Sequence, residues 1–124
     1  MTAATGRRTA AQVAGEGAEE AAAQFLADHG LAIVARNYRT RFGEIDLVAQ
    51  DGPTLVFVEV RRRSRSDFGD AADSITDSKR QRLESAARLY LSSLAHEPPC
   101  RFDVVTLDSG APRWLRAAWD AAPG

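Results

Sequence analysis

At 124 residues, with 44% apolar and 27% charged residues, the chain has the composition of one packed domain, which excludes a disordered or low-complexity protein. A formal net charge of −1 by itself argues weakly against nucleic acid as a partner, and no apolar run approaches the ~18 residues of a membrane helix. Met1 to Gln12 lacks the apolar stretch of a signal peptide, and the single Cys100 cannot form an internal disulfide. The expectation is a cytoplasmic protein without membrane contact, with Cys100 packed as a small apolar residue.

Charge is unevenly spread. Residues 1–35 hold two arginines against four acids, whereas residues 36–66 hold seven arginines against four acids. Such a basic stretch is a candidate phosphate footprint, and equally a solvated face.

Residues 1–12 and 121–124 have no clear period and read as tails around a single domain over 13–120. The first helix is predicted from Val13 to His29. Ala18, Ala22, Phe25 and Leu26, with Ala21 nearby, make its apolar face. Gly30 supplies the left-handed residue after it, and Leu31 folds back on the last turn. Strands are predicted over Leu31 to Tyr38, Gly43 to Ala49 and Leu55 to Val60. The third is nearly all apolar and branched, as in a strand covered on both faces.

Asp51-Gly52-Pro53-Thr54 marks a turn, so the second and third strands form a hairpin. Pairing Gln50 with Leu55 sets Asp46 opposite Glu59, whereas a tighter Asp51-Gly52 turn sets Asp46 opposite Phe57. In both registers Asp46 and Glu59 share a face with Arg61. Carboxylates ~5 Å apart repel by ~3 kcal/mol at an effective dielectric of 20. Arg61, a shared proton or a divalent cation must offset that.

Ser64 to Asp77 is polar and reads as a loop around Phe68-Gly69. A second helix is predicted from a capping box, Ser78-Lys79-Arg80-Gln81. Leu83, Ala86, Ala87, Tyr90, Leu91 and Leu94 form its stripe, and Pro98-Pro99 exclude its continuation. Phe102 to Leu107 and Trp114 to Trp119 are the fourth and fifth strands. The two tryptophans are expected to cover the core. The order is α/β: αβββαβ(β) with a mixed sheet flanked by helices.

Gly43-Glu44-Ile45-Asp46-Leu47-Val48-Ala49 followed by Val56-Phe57-Val58-Glu59-Val60-Arg61 resembles the D…(D/E)-x-K signature of the PD-(D/E)XK nucleases. With Gly15…Glu19…Ala22…Phe25-Leu26, Asn37, Phe68-Gly69, Lys79…Arg82-Leu83, Ala86 and Arg101-Phe102-Asp103-Val104-Val105, the chain resembles more closely the YraN family of uncharacterised bacterial proteins, related to Holliday-junction resolvases.

The resemblance implies a restriction-endonuclease-like fold with Asp46, Glu59 and the Val60 carbonyl holding Mg²⁺ or Mn²⁺, and Glu19 brought to the metal from the first helix. It implies DNA as partner, branched or structured DNA included, and by analogy with resolvases a homodimer. One departure matters: the signature lysine is Arg61 here, and arginine stays charged where lysine can act on a proton. Lys79, the only lysine among sixteen basic residues, then becomes the candidate replacement. With Arg80 at a helix start it makes a phosphate seat. Arg61 and Lys79 would grip phosphate oxygens, and Arg62, Arg63 and Arg65 would follow the backbone without reading sequence. The resulting expectation is a metal-dependent DNA endonuclease. The alternative is a nucleic-acid-binding module that keeps the fold with little or no cleavage. Asp103 has three candidate partners: metal, Arg101 and solvent.

Overall fold

The predicted order of elements is the one found in a computed structural model of the chain: α1 (Ala10–Asp28), β1 (Ala32–Arg39), β2 (Glu44–Asp51), β3 (Thr54–Arg62), α2 (Asp77–Ser92), β4 (Cys100–Leu107) and β5 (Arg113–Trp119). The structure describes residues 10–62, 75–107 and 112–120, with side chains from residue 17 onward. The described strands form one sheet in the order β1-β2-β3-β4-β5. All neighbours are antiparallel except β3 and β4. A parallel pair needs a crossover, and α2 lies in it. The result is a mixed α/β sandwich with a restriction-endonuclease-like core.

Each helix seals one face of the sheet. Ala22, Ala23 and Leu26 of α1 pack on Leu47, Ala49, Val56, Val58 and Val105. Leu83, Ala86 and Ala87 of α2 pack on Ile45, Val48, Leu55, Phe57 and Phe102. Residues 55–59 are all buried, which is why β3 reads as an unbroken apolar run ending in an acid. Each large side chain here, such as Phe57 or Leu26, contributes roughly 1.5–3 kcal/mol by leaving water.

Local signals fare well where they are strong. Gly30 has φ +93°, and the Leu31 N–H donates to the Leu26 carbonyl at 3.1 Å, closing α1 as expected. The hairpin takes the register that pairs Gln50 with Leu55. Asp51 also pairs with Thr54, leaving a two-residue turn at Gly52-Pro53. Trp114 and Trp119 pack at the edges of the two clusters.

Several expectations need correction. Helix α1 starts at Ala10, three residues before the predicted start. Ala21 is exposed, and Ala23 takes its place inside. Helix α2 is capped by Thr76, not Ser78: Thr76 is extended and its hydroxyl accepts the Lys79 N–H at 3.2 Å. Asp77 then sits in the first turn, where the helix dipole favours an anion. Lys79 is therefore the third helical residue rather than the first. Leu94 lies beyond α2 and is exposed. Cys100 is exposed because it opens β4 directly after Pro99. Desolvation and the Glu97 charge both raise its thiol pKa, which keeps the thiolate scarce. Phe68-Gly69, within the predicted loop, lies outside the described residues.

One irregularity positions the site. Ile45 and Val48 both face α2, although strict alternation puts residues three apart on opposite faces. Tyr38 and Ala35 on β1 do the same. Both strands therefore break their pleat at one level, where Asn37 and Asp46 lie. Asn37 has φ +52°, a left-handed conformation that asparagine tolerates better than branched residues. That kink lets β1 follow β2 through its turn of face.

Candidate active site

At the kink the β2–β3 ladder ends with the Leu47–Val58 pair. Beyond it the Asp46 side chain replaces the missing backbone partner: its Oδ2 accepts the Val60 N–H at 2.8 Å. The Asp46 carboxyl is thus fixed between strands rather than left to swing. Its neighbour Glu59 is 5% exposed, and the two side chains are hydrogen-bonded. Burial first, then the Glu59 charge, push the Asp46 pKa up to about 8, with a smaller contribution from Glu19; the Val60 N–H opposes the rise. Burial and the Glu59 charge thus favour the protonated form of Asp46. Protonation of Asp46 is one offset to the repulsion between the opposed acids.

The second is Lys79. Its Nζ lies 2.6 Å from Glu59 Oε2, while the Arg61 guanidinium stands 3.9 Å from the same oxygen. A lysine thus reaches Glu59 from α2, beside the β3 position that Arg61 occupies. Thr76 caps that helix through the Lys79 N–H itself, which sets where the side chain begins. Asp46, Glu59 and Lys79 line a cleft of about 210 Å³ together with Gly43, Glu44 and Arg82.

The structure separates the other predicted residues. Glu19 is half-buried on α1, close enough for its charge to act on Asp46. Val60 sits on the α1 side of β3, its N–H engaged by Asp46. Arg62 is exposed at the end of β3. The Arg80 guanidinium lies 5.3 Å from the Trp119 ring centroid and does not line the cleft. Arg63 and Arg65 lie outside the described residues. Asp103 is fully buried, and its partners are structural: Arg101 Nε at 3.0 Å, Trp114 Nε1 at 2.9 Å and the Ala117 N–H at 2.9 Å. It pins the bulge where β5 passes β4, at Ala117 with φ +50°.

Gly43 and Arg82 are cleft residues that sequence reasoning missed. The available signal was spacing, since Arg82 lies three residues after Lys79 and so shares its helical face. Gly43 is needed for contact: a Cβ there would come within 3.0 Å of the Arg82 Cβ and carbonyl oxygen.

The donor set suits a hard divalent cation. Two carboxylates in contact, with the Asp46 pKa raised by burial and by the Glu59 charge, face a cleft of about 210 Å³. Among the described residues no group of three or more Asp, Glu, His or Cys forms a ready cage. Two carboxylates with the remaining shell from water and phosphate is the usual Mg²⁺ arrangement. No described helix is long and apolar enough to cross a membrane.

The profile of a family described as "Uncharacterised protein family UPF0102" matches residues 18–107. That span holds both helices' packed faces and β1 to β4, with Glu19, Asp46, Glu59, Lys79 and Arg82. A UPF0102 protein of Nitrosospira multiformis is 56% identical over 109 residues, covering 86% of this chain and 92% of the relative. One from Janthinobacterium sp. (strain Marseille) is 49% identical over 114 residues, covering 92% and 93%. One from Symbiobacterium thermophilum is 52% identical over 103 residues, covering 82% and 87%. By profile and by identity over most of its length, the chain belongs to the uncharacterised protein family UPF0102, the YraN family.

Proposed function

We propose that this protein is a divalent-metal-dependent DNA endonuclease that hydrolyses phosphodiesters, branched or structured DNA included. The observation that carries the reading is Lys79 Nζ at 2.6 Å from Glu59, beside Asp46, in a strand pair whose signature lysine is Arg61. Asp46 and Glu59, with the Val60 carbonyl, would hold Mg²⁺ or Mn²⁺. Such an ion supplies charge neutralisation and a more acidic water. A cation held there would offset the burial and the Glu59 charge that raise the Asp46 pKa, and so would favour the ionised Asp46 carboxylate. Lys79 orients Glu59 and keeps a positive charge beside the reacting phosphate. Arg61 stabilises charge without exchanging protons. Arg62, exposed at the strand end, extends the positive surface along the backbone, with Arg63 and Arg65 next in the chain.

The test is cleavage of linear, flap and four-way DNA with Mg²⁺ or Mn²⁺, comparing the starting protein with Asp46→Ala, Lys79→Ala and Arg61→Lys. The expected result is cleavage by the starting protein, none by Asp46→Ala, and a fall of roughly 100-fold or more with Lys79→Ala. A second reading, a binding module without cleavage, is favoured by the permanent charge of Arg61. It replaces the first if no DNA is cut by the starting protein or by Arg61→Lys while both bind DNA.

A further inference from the structure

We propose, on the nuclease reading above, that Arg82 is the residue that grips a substrate phosphodiester in this cleft, leaving Lys79 to serve Glu59. Both side chains line the cleft, three residues apart on one face of α2, together with the buried Leu83. Their situations differ. Lys79 is committed to a carboxylate at 2.6 Å. Arg82 is exposed, and its guanidinium makes no ion pair or hydrogen bond with any described residue.

The acids that line the same cleft are already engaged. Glu44 is held by Arg39 at 3.2 Å, Glu59 by Lys79, and Asp46 by the Val60 N–H. None of them draws Arg82 into the wall. A guanidinium with no partner among the described residues, beside acids that have theirs, is placed to take an anion from solution. Its planar fork matches two oxygens of one phosphate, which a lysine ammonium does not.

The root of the side chain is fixed as well. The chain entering β2 presses on α2 at this residue, because Gly43 has no Cβ to hold it away from the Arg82 backbone. The distance between β2, which carries Asp46, and the base of Arg82 is thereby set by contact. The ligand class is a phosphodiester backbone, read for charge and shape rather than for bases.

The test uses full-length protein and variants Arg82→Ala, Arg82→Lys and Arg116→Ala. Arg116 is a charge-matched control, since its guanidinium lies over the Trp114 ring at 3.9 Å rather than in the cleft. Binding of a labelled duplex and a four-way junction is measured by anisotropy in Ca²⁺ at several salt concentrations, and cleavage kinetics in Mn²⁺. Arg82→Ala keeps the Cβ that Gly43 packs against, so its melting temperature stays that of the starting protein. Its DNA affinity falls roughly tenfold, the loss of one charged hydrogen-bonded contact. Its salt slope falls by about one, and KM rises while kcat changes little. Arg82→Lys recovers part of the loss, and Arg116→Ala loses little. Unchanged affinity and KM in Arg82→Ala, or an equal loss in Arg116→Ala, overturns the role of Arg82 while cleavage by the starting protein preserves the nuclease reading. Failure of the starting protein to bind or cut any DNA overturns that reading, and this inference with it.

Discussion

Replacing Asp46 by asparagine is expected to stabilise the metal-free protein, although it removes the carboxylate on which the proposed chemistry depends. The Asp46 pKa is raised from 3.8 to about 8 in the folded chain, by burial first and by the Glu59 charge second. The folded state therefore holds a proton that the unfolded chain releases once pH exceeds ~4. Stability from this group is complete below the unfolded pKa, falls as pH rises through the window from ~4 to ~8, and is flat above it. At ~1.4 kcal/mol per pH unit, roughly three units of that window lie below pH 7, so the loss there is at most about 4 kcal/mol. Relaxation and water entry reduce it, and a net effect of about 1–3 kcal/mol is expected. Asparagine resembles the protonated acid. Its amide oxygen still accepts the Val60 N–H, and its NH₂ donates to Glu59.

Thermal unfolding in EDTA, followed by circular dichroism from pH 4 to 9 for both proteins, tests this. The difference is near zero at pH 4, grows steadily, and levels off above pH 8. At pH 7 the asparagine variant melts higher by roughly 4–12 °C, at about 4 °C per kcal/mol for a domain of this size. Titrations elsewhere in the chain cancel in the difference. A difference that stays flat across the range, or an asparagine variant that melts lower at pH 7, refutes the argument that burial and the Glu59 charge favour the protonated form of Asp46.

Millimolar Mn²⁺ or Mg²⁺ is expected to raise the melting temperature of the starting protein, because an ion bound only to the folded state adds its binding free energy. Asp46→Ala and Glu59→Ala should both lose that shift, and an equal shift in either would place the ion elsewhere. Asn37→Gly should leave stability nearly unchanged, whereas Asn37→Val should cost about 1–2 kcal/mol, because φ is +52° at that position; urea midpoints with equal slopes measure the difference. Gly43→Ala is expected to cost roughly 1–3 kcal/mol by pushing β2 off α2, since its Cβ would meet Arg82 backbone at 3.0 Å. It should also weaken DNA binding more than Ala21→Gly, a surface change of similar size on α1, and equal effects would show that the Gly43 contact has no bearing on the cleft.

What the sequence determined by itself is local in origin. The Asp51-Gly52-Pro53-Thr54 turn and the runs flanking it specify one hairpin, and either of its two registers puts Asp46 and Glu59 on one face; the structure chose the register that pairs Gln50 with Leu55. The period of α2 names its buried face, and Gly30 ends α1, because helical spacing and left-handed backbone depend on neighbours a few residues away. Tertiary structure decided what crosses between elements. Lys79 meets Glu59 only because α2 is carried across the sheet between the parallel strands β3 and β4, and no periodicity encodes which helix face overhangs which strand end. The cap at Thr76 belongs to the same class, since its extended backbone depends on how the chain enters α2. Asp103 looked equally suited to metal, arginine or solvent. Its fate was settled by β5, whose Trp114 and bulged Ala117 converge on it from more than ten residues away. The kink at Asn37 and Asp46 shows the limit most clearly. Alternation predicts a regular pleat, but two strands packed between different helices turn their faces together, and that departure from local rule holds the Asp46 carboxyl against the Val60 N–H.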